Sequence, residues 1–466
     1  VSLFPTAKSD PELLPFRPGL TFAFFNALAW QIGIGTPMVL FAEQLGATPF
    51  QVGLAYSFVF LLTPLQIAAT ALLPRYGFKA VMLGGWGTRS VFLGVPAVLA
   101  ILVLLIGERS WMVTALVASV FFFCFCRSIG AASGISWFYA ILPEQVRGRY
   151  FASDQFVTAV AAVGTLLASS ALFALLPIYP ALLLQYGIAL AGSTISYFAL
   201  KELPDAERPA AISLASVARD TPRHLFRPTP FRRYLWIATL YGIVTTPIPP
   251  FAAYYLKVGP QLGAGQIMMF EVLRYGGVMV SAWLIRRWID RAGARPFFLL
   301  SVALHGLVAV HWWFFLRTGW GGVAGLYAVY FVLGFGAAAW TVANLNYLPK
   351  VIDPAERTLA VSINGAVTSC VGGLSPVLWG IFLRPADAPR GINLSVLQLF
   401  FVVVAAGVVV LLPWLARLPE DRNRHDDPIL LGGAMLRPFR AATYLVNLID
   451  PRSSSRSQSK PSERKS

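Results

Sequence analysis

The chain is 466 residues long, 57% hydrophobic and only 12% charged, whereas a soluble domain carries about 25% charged residues. So few charges cannot cover a water-exposed surface of this size, which excludes an ordinary soluble enzyme and makes lipid the natural solvent. The net charge of +16 does not point to nucleic acid, because the basic residues cluster in short stretches between apolar segments and no nucleic-acid-reading motif is present.

A membrane-spanning helix needs about 20 apolar residues to cross roughly 30 Å of hydrocarbon. Taken in chain order, the pattern predicts twelve such segments: 18–42, 50–73, 80–106, 111–141, 151–176 and 179–200, then 233–256, 264–288, 296–316, 320–348, 358–383 and 392–416. Residues 1–17 form a polar leading segment with Pro5, Pro11 and Pro15 and no compact basic region, so the first apolar segment reads as an uncleaved anchor. Residues 201–232, rich in Pro and Arg, separate an N-terminal bundle (18–200) from a C-terminal bundle (233–416). A basic tail, 417–466, ends in Ser/Lys/Arg-rich sequence expected to be disordered in part. Within it, 428–450 has apolar residues spaced with Arg437 and Arg440 in a way that suits a helix lying on the inner leaflet.

Basic residues orient the chain. With the N-terminus inside, Arg109, Lys257, Arg317, Arg384 and Arg390 are the basic residues of the outer loops, and the great majority of the others fall in the inner loops and tails. Both termini are therefore expected in the cytoplasm. The richness in Arg, Ala and Gly, with Val1 in place of Met, suits a GC-rich bacterial genome and hence a bacterial inner membrane. Cys124, Cys126 and Cys370 all lie in apolar stretches and offer neither a disulfide framework nor a zinc set; no metal or cofactor is expected.

The two halves echo each other. Thr36-Pro37 returns as Thr246-Pro247, and Gln44-Leu45-Gly46-Ala47 as Gln261-Leu262-Gly263-Ala264. Arg75, Gly77 and Lys79 return as Arg291, Gly293 and Arg295, and Leu142-Pro143 as Leu348-Pro349, each of the latter followed by a charged turn ending in Arg149 or Arg357. Four matches in the same order imply a duplicated six-helix unit.

These loops resemble those of the major facilitator superfamily, whose signature between helices 2 and 3 reads G-x-x-x-D-R-x-G-R-R, with a weaker copy between helices 8 and 9. Here the second copy is the better preserved, as Asp290-Arg291-Ala-Gly293-Ala-Arg295; the first has Pro74 where the acid belongs, and both lack the leading Gly. The resemblance implies an all-α membrane protein of twelve helices in two pseudo-symmetric bundles, working by alternating access. It implies a cytoplasmic gate built from Asp290, Arg291, Gly293 and Arg295 with Arg75, Gly77, Lys79, Arg147, Arg149 and Arg357. Asp290 is expected to accept from Arg357 or from N–H groups at the start of a facing helix. With Pro74 in place of its counterpart, the matching latch from the first half is expected to be weak.

Ionisable residues inside spans are costly and tend to be functional. Arg127, in the fourth segment, shares a face with Gly130 and Gly134 and resembles the family's helix-4 motif R-x-x-x-G-x-x-A; its repeat-related position is Leu333, so it is not a duplicated structural element. Arg127 therefore reads as a substrate or proton residue, or else as a tether to Asn26 or Gln31. Glu271 and Arg274 share one face of the eighth segment, either as a static pair or as a switch in which Arg274 leaves for an anionic solute and frees Glu271 to take a proton. On the switch reading, Glu271→Gln abolishes proton-coupled uptake and spares counterflow. Arg89 and its repeat partner His305 read as anchors, and Asp154 as an acid at the start of the fifth helix that complements the helix dipole or meets the gate arginines.

Asn26, Trp30, Gln31, Tyr241, Trp340, Asn344 and Asn346 are the polar and aromatic candidates for a central cavity. Three intramembrane arginines against one clear acid point to an anionic or partly anionic solute. No G-x-x-x-x-G-K-[ST] occurs, which argues against direct ATP drive. The sequence thus reads as a monomeric secondary transporter in a lipid bilayer, moving a small solute with protons or another coupling ion. The competing readings are a non-transporting receptor or scaffold on the same fold and, with four scattered histidines, a membrane-embedded enzyme.

Overall fold

The computed structural model describes residues 11–47, 49–209, 214–258, 260, 262, 264–383 and 393–419. The tail beyond 419, Arg384, Arg390 and, in the Gln-Leu-Gly-Ala copy at 261–264, Gln261 and Gly263 lie outside them. The described residues are helical throughout, without strands. Ten helices are long and apolar enough to cross a membrane, or eleven when the bent second span is counted; with the 22-residue eighth helix, Ala264–Ile285, they make twelve.

Span 1 is Arg17–Gly33 continued by Thr36–Gln44, and span 2 is Pro49–Leu61 continued through Leu65–Ala69 to Leu73–Tyr76. Spans 3 to 6 are Phe78–Ile106, Ser110–Ile141, Glu144–Leu175 and Ile178–Glu202. After a connecting helix, Leu214–Phe226, span 7 is Pro230–Thr245 continued by Ile248–Val258, and span 8 is Ala264–Ile285. A single turn, Ile289–Ala292, leads to spans 9 to 12 at Arg295–Thr318, Gly322–Tyr347, Arg357–Leu383 and Leu394–Ala416.

The duplication seen in the sequence is present in the backbone. Spans 1 and 7 are interrupted at their Thr-Pro pairs, because proline lacks the N–H that would bond back into the preceding turn. Span 2 bends by 43° at Pro64. The loops after spans 2 and 8 each hold one four-residue helical turn closed by a glycine, Gly77 at φ 83° and Gly293 at φ 73°. Both sit in the left-handed region that L side chains avoid, so the motif needs glycine at these positions.

Span 5 begins earlier than the hydropathy pattern predicts. Pro143, extended at ψ 143°, stands just before it, and Val146, Tyr150 and Val157 then keep one face buried. Asp154 consequently lies well inside the helix rather than at its start, and the dipole role expected of it is lost. Large apolar side chains on the outer rim, such as Val91, Leu105, Leu175, Leu307 and Val409, remain exposed to the hydrocarbon. Between helices, small residues permit close approach: a Cβ at Gly85 would stand 2.6 Å from the Gly130 backbone.

Candidate functional site

The loops between spans 2–3, 4–5, 8–9 and 10–11 share one face of the molecule, and there the two bundles are tied together. Asp290 Oδ1 accepts the Gly148 N–H at 2.9 Å and Oδ2 accepts the Arg149 N–H at 3.1 Å. The Arg149 guanidinium adds a contact to Oδ2 at 3.4 Å and also pairs with Glu12 of the N-terminal segment. Asn346 donates to Asp290 Oδ1 at 3.5 Å and accepts from Lys350 at 3.3 Å. Gly148 is required by this approach, since a Cβ there would lie 2.3 Å from Asp290 Oδ1. Burial pushes the Asp290 carboxyl up to about 6, against the two N–H groups and Arg149, which pull it down.

Two more bonds cross between the bundles. Tyr139 donates to the Leu345 carbonyl at 2.8 Å, and Gln66 to the Ser362 carbonyl at 3.0 Å.

The other loop residues act within their own bundles. Lys79 donates to the Leu203 carbonyl at 2.7 Å, and its repeat partner Arg295 donates to the Ala416 carbonyl. Each thereby caps the end of the last helix of its half, where a cation complements the helix dipole. Arg147 turns back to the Tyr139 and Leu142 carbonyls, both at 3.2 Å. Arg75 lies over the Tyr76 ring, and Arg291 is exposed. Arg357 opens span 11 with its Nε buried and without a hydrogen bond among the described residues; of the two partners expected for Asp290, the backbone N–H groups are the ones found.

Among the intramembrane charges, Glu271 and Arg274 are closed on each other, with Arg274 Nε and Nη2 at 2.8 and 2.7 Å from Glu271 Oε2. Arg274 also covers the Tyr275 ring at 4.5 Å, and the Tyr275 hydroxyl accepts from Gln31 of span 1 at 2.6 Å, a link between the bundles. Arg89 is fully buried between the rings of Trp86 and Phe123 and donates to Asn26, which also accepts from Trp86 at 3.2 Å. Asn26 is thus committed to Arg89 rather than to Arg127. Arg127 lies over the Trp30 ring at 4.7 Å and makes no hydrogen bond among the described residues. Asp154 has one weak bond, from its neighbour Gln155 at 3.4 Å, and no ion pair among the described residues.

A cavity of about 360 Å³ opens in the C-terminal bundle. Span 7 contributes Tyr241, Gly242 and Thr246, span 10 Trp340, Thr341 and Asn344, span 11 Asn364, Thr368 and Ser369, and span 2 a single side chain, Phe60. Tyr241 and Trp340 stack with centroids 3.5 Å apart and planes at 6°. Three residues expected at a cavity are brought together here, Tyr241, Trp340 and Asn344; Asn346 belongs to the Asp290 cluster instead. Sequence reasoning missed Asn364, an amide within an apolar span and so a visible signal, and it missed Glu12 and Gly148, whose roles depend on what faces them.

No protein-family model matches the sequence, and no curated protein matches it. Solved structures do match. A single-residue variant of the E. coli fucose:proton symporter FucP aligns with a TM-score of 0.62 at 15% identity, over 87% of this chain and 99% of that one. FucP described as a major facilitator superfamily transporter in the outward conformation gives 0.61 at 14%, with the same coverage. A bacterial homologue of the iron transporter ferroportin in an outward-facing state gives 0.65 at 14% identity, over 87% of this chain and 98% of that one. The chain has the major facilitator fold: an all-α, multi-pass membrane architecture of twelve helices in two pseudo-symmetric bundles.

Proposed function

We propose that the chain is a secondary transporter that moves a small solute across the bacterial inner membrane by alternating access, as a monomer with both termini in the cytoplasm. The observation that carries this reading is the Asp290 cluster. A half-buried carboxylate reaches from one bundle to backbone N–H groups of the other, on a face where Tyr139 and Gln66 add two further crossing bonds. Such a set of polar bonds suits a latch that forms and breaks as two bundles rock about a central site. The latch face is the cytoplasmic one on this reading, because the loops that build it carry the basic residues.

Proton coupling is assigned to Asp154 in preference to Glu271. Glu271 is already neutralised by a two-point contact with Arg274, which supports the static pair over the switch. Asp154 has no such partner among the described residues, and an intramembrane carboxylate without a counter-charge needs a cation to accompany it. Span 5 packs against the Pro11–Phe16 turn, the Arg17–Gly33 helix of span 1, spans 6, 8 and 10, and the Ile289–Ala292 turn. Their ionisable groups are Glu12; Arg17; Tyr179, Tyr186, Tyr197, Lys201 and Glu202; Glu271, Arg274 and Tyr275; Asp290 and Arg291; and Tyr327, Tyr330 and Tyr347. Among the described residues none of them bonds to Asp154, and Tyr150, one turn earlier on its own helix, is the titratable group that interacts with it. The anionic solute expected from three arginines loses much of its support, since Arg274 is held by Glu271 and Arg89 by Asn26.

Labelling tests the reading without knowledge of the solute. In a background lacking Cys124, Cys126 and Cys370, Thr341→Cys places a thiol on the cavity wall. A membrane-impermeant maleimide should reach it from the face opposite the latch, and Asp290→Ala should add labelling from the latch face. Labelling from a single face in both backgrounds would overturn alternating access.

A further inference from the structure

The cavity in the C-terminal bundle has a definite chemical character. Every polar side chain on its wall is an amide, a hydroxyl or the indole and phenol of the stacked pair; none carries a charge. The repeat relation sharpens this. Arg89 and Arg127 of the N-terminal bundle correspond to His305 and Leu333, and His305 is buried with Nδ1 donating to the Ser301 carbonyl at 2.8 Å. The positions that hold guanidinium groups in one half are uncharged or apolar in the half that holds the cavity.

The wall also offers an unmet bond. Asn364 is 5% exposed, and its Oδ1 is buried with no hydrogen-bond partner among the described residues. A buried acceptor left in this state is costly unless a ligand donates to it. Across the cavity, the carbonyl oxygen of Asn344 already accepts from Tyr234, which leaves its amide hydrogens as the group to offer. One acceptor and one donor suit a hydroxyl group, which supplies both functions, better than a carboxylate or phosphate, which only accepts. Thr341 and Thr368 donate to helix carbonyls at 3.0 and 2.6 Å, so their oxygens also remain as acceptors.

The Tyr241–Trp340 stack adds a flat, rigid surface, backed by Phe298 at 4.8 Å from Trp340 and by His305 at 5.4 Å from Tyr241. A ring with C–H bonds on one side packs on such a surface. The cavity volume of about 360 Å³ lies at the lower end of the range for small-molecule sites, about 300–1,000 Å³.

We propose that this cavity binds an uncharged, polyhydroxylated ring compound the size of a monosaccharide, held by the Tyr241–Trp340 platform and the Asn344 and Asn364 amides. The compound's role as cargo rests on the transporter reading above; its binding does not.

The test is calorimetric titration of the purified full chain in detergent with neutral aldohexoses, aldopentoses and cyclitols, against the corresponding uronates, sugar phosphates and amino sugars. At least one neutral compound should bind saturably, and its uronate and phosphate should bind at least tenfold more weakly. Asn364→Leu should weaken the neutral compound at least tenfold. Asn364→Ser, which keeps a hydrogen-bonding oxygen at the position, should retain part of the affinity and guards against misfolding of the first variant. Binding of only the charged forms overturns the proposal, as does the absence of binding by every neutral compound, or neutral binding indifferent to both variants. Neutral binding without uptake into proteoliposomes would sink the transporter reading and leave this one standing. Transport of an anion alone would do the reverse.

Discussion

The N-terminal bundle keeps Arg89, Arg127 and Asp154 in its interior, and none of the three meets an opposite charge among the described residues. The C-terminal bundle, built on the same plan, pairs its Glu271 with Arg274 and replaces the two arginines with His305 and Leu333. Its Tyr241 and Trp340 correspond to Gln31 and Gly134, so the aromatic platform has no counterpart in the first half. Duplication supplied two equivalent scaffolds, and substitutions at equivalent positions then divided the work. On the proposed reading, one half holds charge that needs a mobile partner, and the other holds a neutral, hydrogen-bonding chamber. On the same reading, the Asp290 bonds to Gly148 and Arg149 couple the two mechanically.

The largest effect is expected where this division is attacked directly. Asp154→Asn should abolish solute-driven proton movement, read with a pH-sensitive dye inside proteoliposomes, while exchange of labelled for unlabelled solute continues. Glu271→Gln should do the opposite. It leaves Arg274 unpaired, which for this partly exposed pair costs on the order of 1–3 kcal/mol, so the melting temperature falls while proton coupling survives. Coupling lost in the Glu271 variant and retained in the Asp154 variant would reverse the assignment.

Next in size is the latch. Removing the Asp290 carboxylate by Asp290→Ala deletes two charge-assisted bonds to the facing helix. Hydrogen bonds to a charged group contribute roughly 1.5–3 kcal/mol each, so with both lost the ratio of closed to open forms should fall by on the order of 100-fold or more. Rates of maleimide labelling at Thr341→Cys from the latch face would record it. An unchanged rate would mean that Tyr139 and Gln66 hold the face shut without help.

Much of this architecture was legible in advance, for physical reasons. Apolar runs of membrane length, the Thr-Pro breaks and the Gly77 and Gly293 turns are local properties that one stretch of sequence states in full. Asp290 could be singled out because an acid in a basic loop does nothing for topology. The destinations of the long polar side chains could not be read. Lys79 and Arg295 look like gate residues until the ends of spans 6 and 12 are seen beneath them, and Asn26 looks like a cavity residue until Arg89 reaches it from span 3. Asp154 was misplaced because hydropathy marks where a helix enters lipid, not where it begins. Span 5 starts at Glu144, ahead of its apolar run.

A smaller effect follows from pH. In the closed latch the Asp290 carboxyl titrates at about 6, and in an opened, hydrated loop it returns to the usual range near 4. The closed form therefore binds the extra proton. Its contribution to closure is complete below about pH 4 and is lost as pH rises through about 6. Expressed relative to labelling from the opposite face at the same pH, which cancels the change in thiolate fraction, labelling from the latch face should accordingly be slower at pH 5 than at pH 7.5, and Asp290→Asn should remove most of the difference. A rate that rises on acidification would show that the ionised carboxylate is the stronger latch.

The smallest effect concerns the half-latch that the first bundle lacks. Pro74 occupies the place of Asp290 in the duplicated turn Leu73–Tyr76, and the residue corresponding to Arg149 is Arg357, whose buried Nε has no hydrogen bond among the described residues. Pro74→Asp would set a carboxylate opposite that guanidinium, although Glu356 beside it opposes the gain. The expected strengthening is that of a partly exposed ion pair, about 0.5 kcal/mol, visible as a roughly twofold slower labelling from the latch face. Combined with Asp290→Ala, the substitution should restore part of the lost closure, because the repeat-related contact acts on the same rocking motion. If it restores nothing, the two loops are equivalent in backbone alone, and the asymmetry between the bundles extends to the latch itself.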